Sequence, residues 1–330
     1  MVKPLLDTYC LLLTTHESAQ SAQGTRQQLY HHKAGQLSLT QAVTQVRMVT
    51  AFLTPVWKKP TIVYLLGHVH MIILLSPAKG MDFSSPLLTN SYTQPQWIED
   101  AAQLVAQCQQ LSLGEIQELM SISPGLAQLN LERFQNWQKD CALGPGRQAI
   151  QAFQGEAYEG LSAGDFSEPD LEYAQEHLRI LSGLYGILRP LDLIQPYRLD
   201  MSTRLPTGAG PNLYHFWKDK LTGQLQEELS ASPQPTLVNL ASGEYFNVIQ
   251  ARQLGATIIQ PIFLDQNKQG DYKIISAYAK RARGLMARFA IKNRLSHLED
   301  LKQFKLNGYQ FSPAQSSETQ WRFTRAISQS

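Results

Sequence analysis

Residues 76–82 hold a serine and a lysine three positions apart, directly after an apolar run. Ser76 and Lys79 are the residue types that act together as nucleophile and base. Pro77 stands between them, so the spacing does not imply a helix that would align the two side chains. The simpler interpretation is a turn after a strand, with Lys79 at the surface. If the stretch is functional, the Lys79 ammonium beside free backbone amides is better suited to holding a phosphate.

A second stretch, residues 181–190, contains two glycines three positions apart. Gly183 stands where a helix starting at Ser167 is expected to end, since glycine readily adopts the left-handed C-cap conformation. Gly186 allows a second tight turn. The pattern predicts a helix-hairpin-helix whose backbone N–H groups bind a DNA phosphate whatever the base sequence. An ordinary capped helix followed by a turn is the alternative interpretation.

Two arginines follow this turn, and each has an acidic residue nearby. Arg189 and Arg198 can both reach the row of phosphates that the glycines would hold. Asp192 and Asp200 can instead neutralise them as structural ion pairs. The sequence leaves both interpretations open.

Residues 278–294 form the most informative stretch by spacing. Apolar residues fall on one helical face at 100° per residue, and six basic residues interleave with them: Lys280, Arg281, Arg283, Arg288, Lys292 and Arg294. Arg281, Arg288 and Lys292 lie within about 40° of each other on a helical wheel. This column is typical of a helix that follows phosphates, but it is equally compatible with a solvated basic face or with an anionic small molecule.

The loop at residues 239–246 follows a predicted strand and carries polar side chains. Glu244 is a candidate acid or base, or simply a cap for the next segment. Asn239, Tyr245 and, from the glycine stretch, Tyr185 complete a candidate cleft with Ser76. Residues 71–330 contain no cluster of His, Cys, Asp and Glu with metal-ligand spacing, so no metal site is expected.

The surrounding pattern indicates which elements position these residues. Continuous apolar runs and alternation predict strands, and 3.6-residue apolar spacing predicts helices. The predicted strands cover residues 71–75, 236–240, 257–264, 272–278 and 320–325, and the predicted helices cover 98–108, 115–120, 124–137, 167–181, 213–229 and 278–294. Because helices and strands mix without a regular βαβ period, we predict an α+β fold rather than a doubly wound α/β fold.

Charge and composition separate residues 1–70 from the remainder. The chain has a formal net charge of +2, whereas residues 1–70 carry six Lys/Arg against two Asp/Glu. This part has no sustained apolar period, and Met71 opens the first buried-strand run. We therefore predict that 1–70 is an N-terminal extension, either a wrongly assigned start or a weakly ordered appendage, and that 71–330 is the domain. A small extra helical domain is the alternative.

The class of protein follows from what the composition excludes. Three cysteines are too few for a disulfide framework, which favours a reducing compartment. The apolar run at residues 61–75 is shorter than the ~20 residues that a membrane span needs, and a glycine and two histidines interrupt it. These observations predict a soluble cytoplasmic protein that does not bind a membrane.

Several motifs, taken together and in order, resemble one family. They are Ser-Pro-Ala-Lys at 76–79, Leu-Ser-Gly-Leu-Tyr-Gly at 181–186, Leu-Arg-Pro-Leu-Asp-Leu at 188–193, Pro-Tyr-Arg at 196–198, Asn-Leu-Ala-Ser at 239–242, Glu-Tyr-Phe at 244–246 and Ala-Arg-Gly-Leu-Met at 282–286. The chain resembles the YaaA family of bacterial peroxide-stress proteins from Met71 to about Arg325. It departs slightly from the family pattern at Gly80, Met81 and Gly243, which would alter loop geometry more than charge.

The resemblance implies a single compact domain with the cantaloupe-like fold, a helix-hairpin-helix and a positively charged cleft. It also implies protection against hydrogen peroxide, a lowering of free intracellular iron and binding to double-stranded DNA. We predict a DNA-binding stress protein with no cofactor, and we assign no catalytic residue. The predicted phosphate-binding residues are Lys79, Gly183, Gly186, Arg189, Arg198, Lys280, Arg281, Arg283, Arg288 and Lys292.

Two alternatives differ from this interpretation in class. One is an enzyme acting on a nucleotide or another small anionic substrate, with Lys79, Glu244 and the basic helix around the cleft and Tyr185 or Tyr245 as a stacking platform. The other is an interaction protein whose basic helix docks on an acidic partner. DNA binding weakens steeply with salt, whereas binding of one small anion responds weakly. The oligomeric state is not determined by the sequence.

Overall fold

The computed structural model describes residues 71–141 and 145–326. The predicted extension at residues 1–70 lies outside this part. The described residues share one hydrophobic core, to which both helices and strands contribute. The strands are β1 (Met71–Leu75), β2 (Gly80–Met81), β3 (Arg147–Gln148), β4 (Phe153–Gln154), β5 (Leu178–Ser182), β6 (Gly186–Leu188), β7 (Leu193–Ile194), β8 (Thr236–Asn239), β9 (Thr257–Gln266), β10 (Tyr272–Lys273), β11 (Gln310–Phe311) and β12 (Gln320–Arg325).

Helices surround these strands. They are α1 (Ile98–Gln109), α2 (Leu113–Met120), α3 (Pro124–Asn136), α4 (Ala149–Ala152), α5 (Glu156–Leu161), α6 (Glu168–His177), α7 (Leu213–Ser230), α8 (Gly243–Phe246) and α9 (Ser276–Lys292). Short 3₁₀ helices cover Ala163–Asp165, Ala251–Gln253, Leu298–Gln303, Leu306–Gly308 and Pro313–Gln315. Among the residues described, no helix is long and apolar enough to cross a membrane.

The central sheet has the strand order β11-β12-β9-β8-β1-β5-β6, and β10 pairs with the end of β9. The inner pairs β12/β9, β9/β8, β8/β1 and β1/β5 are parallel, while β11/β12, β10/β9 and β5/β6 are antiparallel. Every residue of β1 is buried, as expected for a central strand covered on both faces. The prediction of a mixed helix and strand domain is confirmed.

The parallel pairing of the central strands was not predicted, because the sequence shows no regular βαβ period. β1 pairs with β5 although residues 76–177 separate them, and it pairs on its other side with β8. Crossover connections of such unequal length leave no regular spacing along the chain. The period is therefore a poor guide here to strand direction.

The start of α6 follows the prediction, but its end does not. Ser167 and Asp170 form the capping box that opens the helix. The helix ends at His177, and residues 178–182 form β5, in register with β1 through Leu178 and Ile73. Leu178 and Leu181 continue the helical apolar spacing, so local periodicity did not distinguish the two structures. Residues 178–182 form a strand because they pair with the buried β1.

This strand changes the structure of the glycine stretch. Ser182 pairs with Gly186 across an antiparallel β-hairpin, and Leu181 pairs with Ile187. The predicted helix-hairpin-helix is therefore wrong for residues 181–190, because the turn joins two strands of the central sheet. The predicted strand at residues 272–278 is also shorter: β10 ends at Lys273 and α9 begins at Ser276.

Candidate functional site

Two loops meet at the carboxyl edge of the central sheet. β1 and β8 are adjacent parallel strands, so the residues that follow them emerge side by side. The Oγ of Ser76 accepts a hydrogen bond from the backbone N–H of Ser242 (2.9 Å), and the two Oγ atoms lie 3.3 Å apart. Ligand sites of parallel sheets lie beyond the carboxyl ends of the strands, which makes this edge the candidate site.

The start of α5 closes one side of the edge. The hydroxyl of Tyr158 donates to the backbone carbonyl of Ser76 (3.0 Å). Gly155, just before the helix, has φ of 140° and lies against the side chain of Ala78. Burial raises the pKa of Tyr158 well above its ordinary value, and the nearby Tyr197 raises it further. Tyr158 is thus a fixed hydrogen-bond donor that holds the Ser76 loop.

Lys79, Asp200 and Tyr245 form a connected polar group beside these serines. Lys79 Nζ lies 3.3 Å from one carboxylate oxygen of Asp200, and the Tyr245 hydroxyl donates to the other oxygen across 3.3 Å. Burial, followed by the negative charge of Asp200, raises the pKa of Tyr245. Because the Lys79 side chain is 62% exposed, its ammonium remains open to a ligand while Asp200 fixes its position.

The predicted cleft residues Glu244 and Asn239 have different surroundings. Glu244 is exposed and accepts a hydrogen bond from the Ser202 hydroxyl (2.7 Å), and its backbone carbonyl accepts one from Tyr214 (2.7 Å). Asn239 is buried, and its Oδ1 accepts from the backbone N–H of Ala241 (3.0 Å). Glu244 therefore faces solvent at the edge, whereas Asn239 shapes the turn beneath it.

Neither predicted stacking residue is an open platform. Tyr185 is fully buried, and its hydroxyl accepts from Trp137 Nε1 (2.9 Å) and from the backbone N–H of Gln195 (3.2 Å). Tyr245 is also buried. The stacking interpretation of Tyr185 and Tyr245 is wrong, because both rings are packed into the core.

The glycines of the hairpin are covered by protein. A Cβ atom at Gly183 would overlap the backbone carbonyl of Leu199, and one at Gly186 would lie 2.8 Å from Leu221 Cδ2 and 2.9 Å from Trp217 Cζ3. Gly186 has φ of 72°, the left-handed conformation that glycine adopts most easily. These glycines allow close packing on α7 and on the 199–200 backbone, so the expected grip of an open backbone on DNA has no basis in this geometry.

The two arginines after the hairpin differ in their partners. Arg189 lies 3.2 Å from the buried carboxylate of Asp192, which also accepts from the Arg189 backbone N–H (2.7 Å). Asp200 pairs with Lys79 instead, so it does not neutralise Arg198. The Nε of Arg198 is buried and has no hydrogen-bond partner among the described residues.

The basic column of α9 is paired with acids from neighbouring elements. Arg281 lies 3.0 Å from Glu159 of α5. The Arg288 guanidinium lies 2.5 Å from Asp165, and Lys292 lies 3.0 Å from Asp170 of α6, a carboxylate that Arg294 also contacts at 2.9 Å. The column was expected to be open, but it joins α9 to α5, α6 and the 3₁₀ turn between them.

Two cations of the same helix have no such partner. Lys280 is exposed and Arg283 is half buried, and within the described part of the chain neither forms an ion pair or hydrogen bond. Burial lowers the pKa of Arg283. In the helical wheel Arg283 falls between the buried Ala279 and Ala287, on the core side of α9. A desolvated guanidinium without an acid is suited to an anionic ligand.

Asp200, Tyr158, Ser242 and Ser202 are the site residues that the sequence did not assign. Asp200 was considered only as a partner for the arginines, although it lies two residues after the family-like motif at 196–198. The Tyr158 contact joins residues 82 positions apart, and that of Ser242 joins residues 166 positions apart. No group of three or more His, Cys, Asp or Glu in the described residues could hold a metal ion.

Comparison with known proteins agrees with the motifs found at this edge. The model of the family described as "Peroxide stress protein YaaA" matches residues 71–315. A UPF0246 protein of Cellvibrio japonicus is 50% identical over 255 residues, which are 77% of this chain and 98% of that protein. A UPF0246 protein of Aliivibrio fischeri is 49% identical over 255 residues, with the same coverage of 77% and 98%. The chain therefore belongs to the peroxide stress protein YaaA family.

Proposed function

We propose that this protein acts in protection against hydrogen peroxide and that it binds double-stranded DNA through phosphates, without reading the bases. Membership of the YaaA family supports the peroxide-stress role. The proposal of DNA binding rests on one observation: neither Lys280 nor Arg283 has an acidic partner among the described residues. A half-buried guanidinium without a counter-charge is unfavourable unless a ligand supplies negative charge.

The proposed DNA-binding surface is smaller than the one predicted from sequence. Arg189, Arg281, Arg288 and Lys292 already have carboxylate partners. The cations proposed to meet phosphates are Lys280 and Arg283, which have no carboxylate partner among the described residues, together with Lys79, whose side chain is 62% exposed although it pairs with Asp200. Each phosphate contact contributes about 0.9 to the slope of log affinity against log salt, so three contacts correspond to a slope of roughly −2 to −3.

The test is a fluorescence anisotropy titration of a short labelled duplex at several salt concentrations. Lys280→Gln and Arg283→Gln should each weaken binding to every duplex alike and reduce the slope by about 0.9. Arg281→Gln is the matched control, since it lies on the same helix but pairs with Glu159. Unchanged affinity and slope in both variants, with the fold intact by circular dichroism, would contradict the proposal.

The lowering of free intracellular iron, which the family resemblance implies, belongs to the same proposal. The test compares cells lacking the protein after they are supplied with the wild-type chain or with Arg283→Gln. The wild-type chain should restore survival in hydrogen peroxide and lower chelatable iron. If Arg283→Gln restores both while failing to bind DNA, then DNA binding is not the route to protection.

A second candidate function is binding or conversion of a small anionic substrate at the carboxyl edge. The observation that favours it is the convergence of Ser76, Ser242, Lys79, Asp200 and Tyr245, at the place where parallel sheets bind ligands. Adenosine triphosphate serves as the probe. Lys79→Gln should weaken its binding and Asp200→Asn, which releases Lys79, should strengthen it, with little dependence on salt. Equal affinity in both variants would exclude this candidate.

A further inference from the structure

Three large apolar side chains are exposed together where the chain passes from β10 into α9. Ile274, Ile275 and Tyr278 are 60%, 40% and 50% exposed, and we call them the apolar patch. Ile275 and Tyr278 are three positions apart, a spacing that places two residues on the same side of a helix. Neighbouring apolar side chains that remain in water mark a surface that another molecule covers.

Ile275 is unfavourable for the helix that it begins. It is the N-cap residue of α9, and its side chain makes no cap hydrogen bond. Serine, threonine, asparagine and aspartate are preferred at this position, because a side-chain oxygen accepts a hydrogen bond from a free N–H group of the first turn. Ser112 and Ser123 act in this way for α2 and α3. Ile275 stabilises neither the helix nor the core, so folding does not account for an isoleucine there.

Tyr278 is held in place although it is exposed. The guanidinium carbon of Arg325 lies 4.8 Å from the centroid of the Tyr278 ring. Arg325 is fixed in turn by the buried Asp265, which accepts a hydrogen bond from its Nε (2.6 Å). One face of the ring is thereby packed on the protein while half of the side chain faces solvent. A side chain that is already ordered loses little conformational entropy when a partner covers it.

Cations flank the apolar patch, and their charge indicates the class of partner. Lys268 and Lys273 precede the patch and Lys280 follows it, and all three are exposed. Residues 267–281 contain a single acidic residue, Asp271, whose carboxylate lies 4.0 Å from Lys273. This combination of apolar and positively charged groups is complementary to a polyanion that also has apolar surface, as DNA has in its stacked bases.

A second group of exposed apolar side chains has the opposite charge around it. Leu113 of α2 and Leu126 and Leu129 of α3 are exposed. The exposed charged residues of these two helices are all glutamates: Glu115, Glu118 and Glu132. Such a surface repels a polyanion, so it provides a matched control for the apolar patch.

Proteins that bend DNA combine the same two kinds of group. Their cations contact phosphates, while apolar side chains such as isoleucine enter the minor groove between base pairs, partly unstack them and kink the duplex. An insertion of this kind responds to the deformability of the duplex rather than to the identity of its bases. We propose that the apolar patch inserts into the duplex and bends it. The insertion rests on the proposed function, because it requires a duplex bound by Lys280 and Arg283.

The experiment uses the full chain and a short duplex with a donor and an acceptor dye at its two ends. Energy transfer reports the bend, and anisotropy at several salt concentrations reports affinity and salt slope. The wild type should bend the duplex by about 20–90°. The double variant Ile274→Ser with Ile275→Ser, and separately Tyr278→Ser, should lose the bend and about tenfold in affinity. Their salt slope should stay unchanged, because no phosphate contact is removed.

The control variants separate insertion from phosphate binding and from a structural role. Lys280→Gln should reduce the salt slope, yet saturating protein should still bend the duplex. Leu126→Ser should change neither affinity nor bend. Ile275→Ser supplies a preferred N-cap residue, so its thermal midpoint should equal or exceed that of the wild type while its bend is smaller. A lower midpoint with an unchanged bend would assign Ile275 to the fold and overturn the insertion.

The possible outcomes distinguish the insertion from DNA binding itself. A wild type that binds the duplex and leaves it straight would overturn the insertion alone. A wild type that binds no duplex would overturn the proposed DNA binding as well. Equal bending by the wild type and the serine variants would show that the apolar patch serves another partner, such as a protein, and would also overturn the insertion.

Discussion

Gly284 of α9 lies directly against the backbone of Ala157 in α5. A Cβ atom at this position would overlap the Ala157 carbonyl oxygen, and one at Gly160 on the facing helix would overlap the carbonyl oxygen of Arg281. Two glycines thus let the backbones of the helices touch. The contact sets α9 beside the helix whose Tyr158 holds the Ser76 loop, so it links the basic helix to the carboxyl edge.

Gly284→Ala should therefore destabilise the protein, by about 1–3 kcal/mol or more, because the helices must separate to admit the methyl group. Gly223→Ala is the matched control. Gly223 lies in α7 with open space around its Cβ position, so alanine should stabilise the helix by about 0.5–1 kcal/mol. Chemical denaturation of both variants measures the difference, and equal free energies of unfolding would contradict the close contact.

Gly186→Ala tests whether the hairpin glycine packs in the core. Both Gly186 (φ 72°) and Gly255 (φ 61°) have left-handed backbone, but only Gly186 has neighbours within 4 Å of the Cβ position. Gly255→Ala should lower the free energy of unfolding by only about 1 kcal/mol, which is the cost of placing alanine in a left-handed backbone conformation. Gly186→Ala should lose about 1–3 kcal/mol more, because its methyl group meets Leu221 and Trp217. Thermal unfolding that gives equal losses would mean that α7 does not cover the turn.

Arg288→Gln tests the structural role of the basic column. Arg288 Nη1 donates to the carbonyls of Leu161 (3.2 Å) and Ser162 (2.7 Å) as well as to Asp165, and its side chain is only 20% exposed. Losing these hydrogen bonds should lower the free energy of unfolding by about 1–2 kcal/mol. The expected loss is modest because Asp165 is exposed, so its ion pair with Arg288 contributes little. Lys280→Gln, on the same helix without a partner, should change stability by less than about 0.5 kcal/mol. Denaturant titration gives both values.

Asp170 gives the fold a dependence on acid pH. Burial by itself raises the pKa of Asp170, but hydrogen bonds from Ser167 and Lys292 outweigh it and lower the pKa from 3.8 to about 2. A carboxyl group whose pKa is lower in the folded state stabilises the fold above its unfolded pKa. That contribution is lost as the pH falls through the folded pKa.

The free energy of unfolding of the wild type should therefore fall between about pH 4 and pH 2. Asp170→Asn should be less stable than the wild type at neutral pH, and its free energy of unfolding should fall less over the same pH range. Denaturant titrations at stepped pH measure both slopes. Asp271→Asn is the control, because the Asp271 side chain is 64% exposed. Parallel curves for Asp170→Asn and the wild type would show that this carboxylate is not the source of the dependence.

A chain that begins at Met71 should unfold with the same midpoint as the full chain. The physical reason is that β1 is a buried central strand of the sheet and the family match begins at its first residue. Loss of soluble expression, or a midpoint several degrees lower, would contradict this proposal. A second unfolding transition present only in the full chain would favour a separate domain in residues 1–70.

Local sequence patterns were sufficient to predict those elements whose residues show a distinctive spacing or cap by themselves. The continuous apolar run of β1, the start of α6 at Ser167 and the amphipathic spacing of α9 were predicted correctly from neighbouring residues. The same reading failed at residues 178–182, because the apolar spacing of α6 continues unchanged into β5. There, pairing with β1 outweighed the local periodicity, and the predicted DNA-binding turn became a buried hairpin.

The sequence by itself determined the family, the central strand and the residue types at the carboxyl edge, since these depend on composition, order and short spacing. Only the tertiary structure decided which charges are free. Arg281 and Arg288 find their acids 122 and 123 positions away, whereas Lys280 and Arg283 have none among the described residues. Whether a charge is neutralised depends on which groups lie within a few ångströms of it in space. The separation of two residues along the chain does not specify their distance in space.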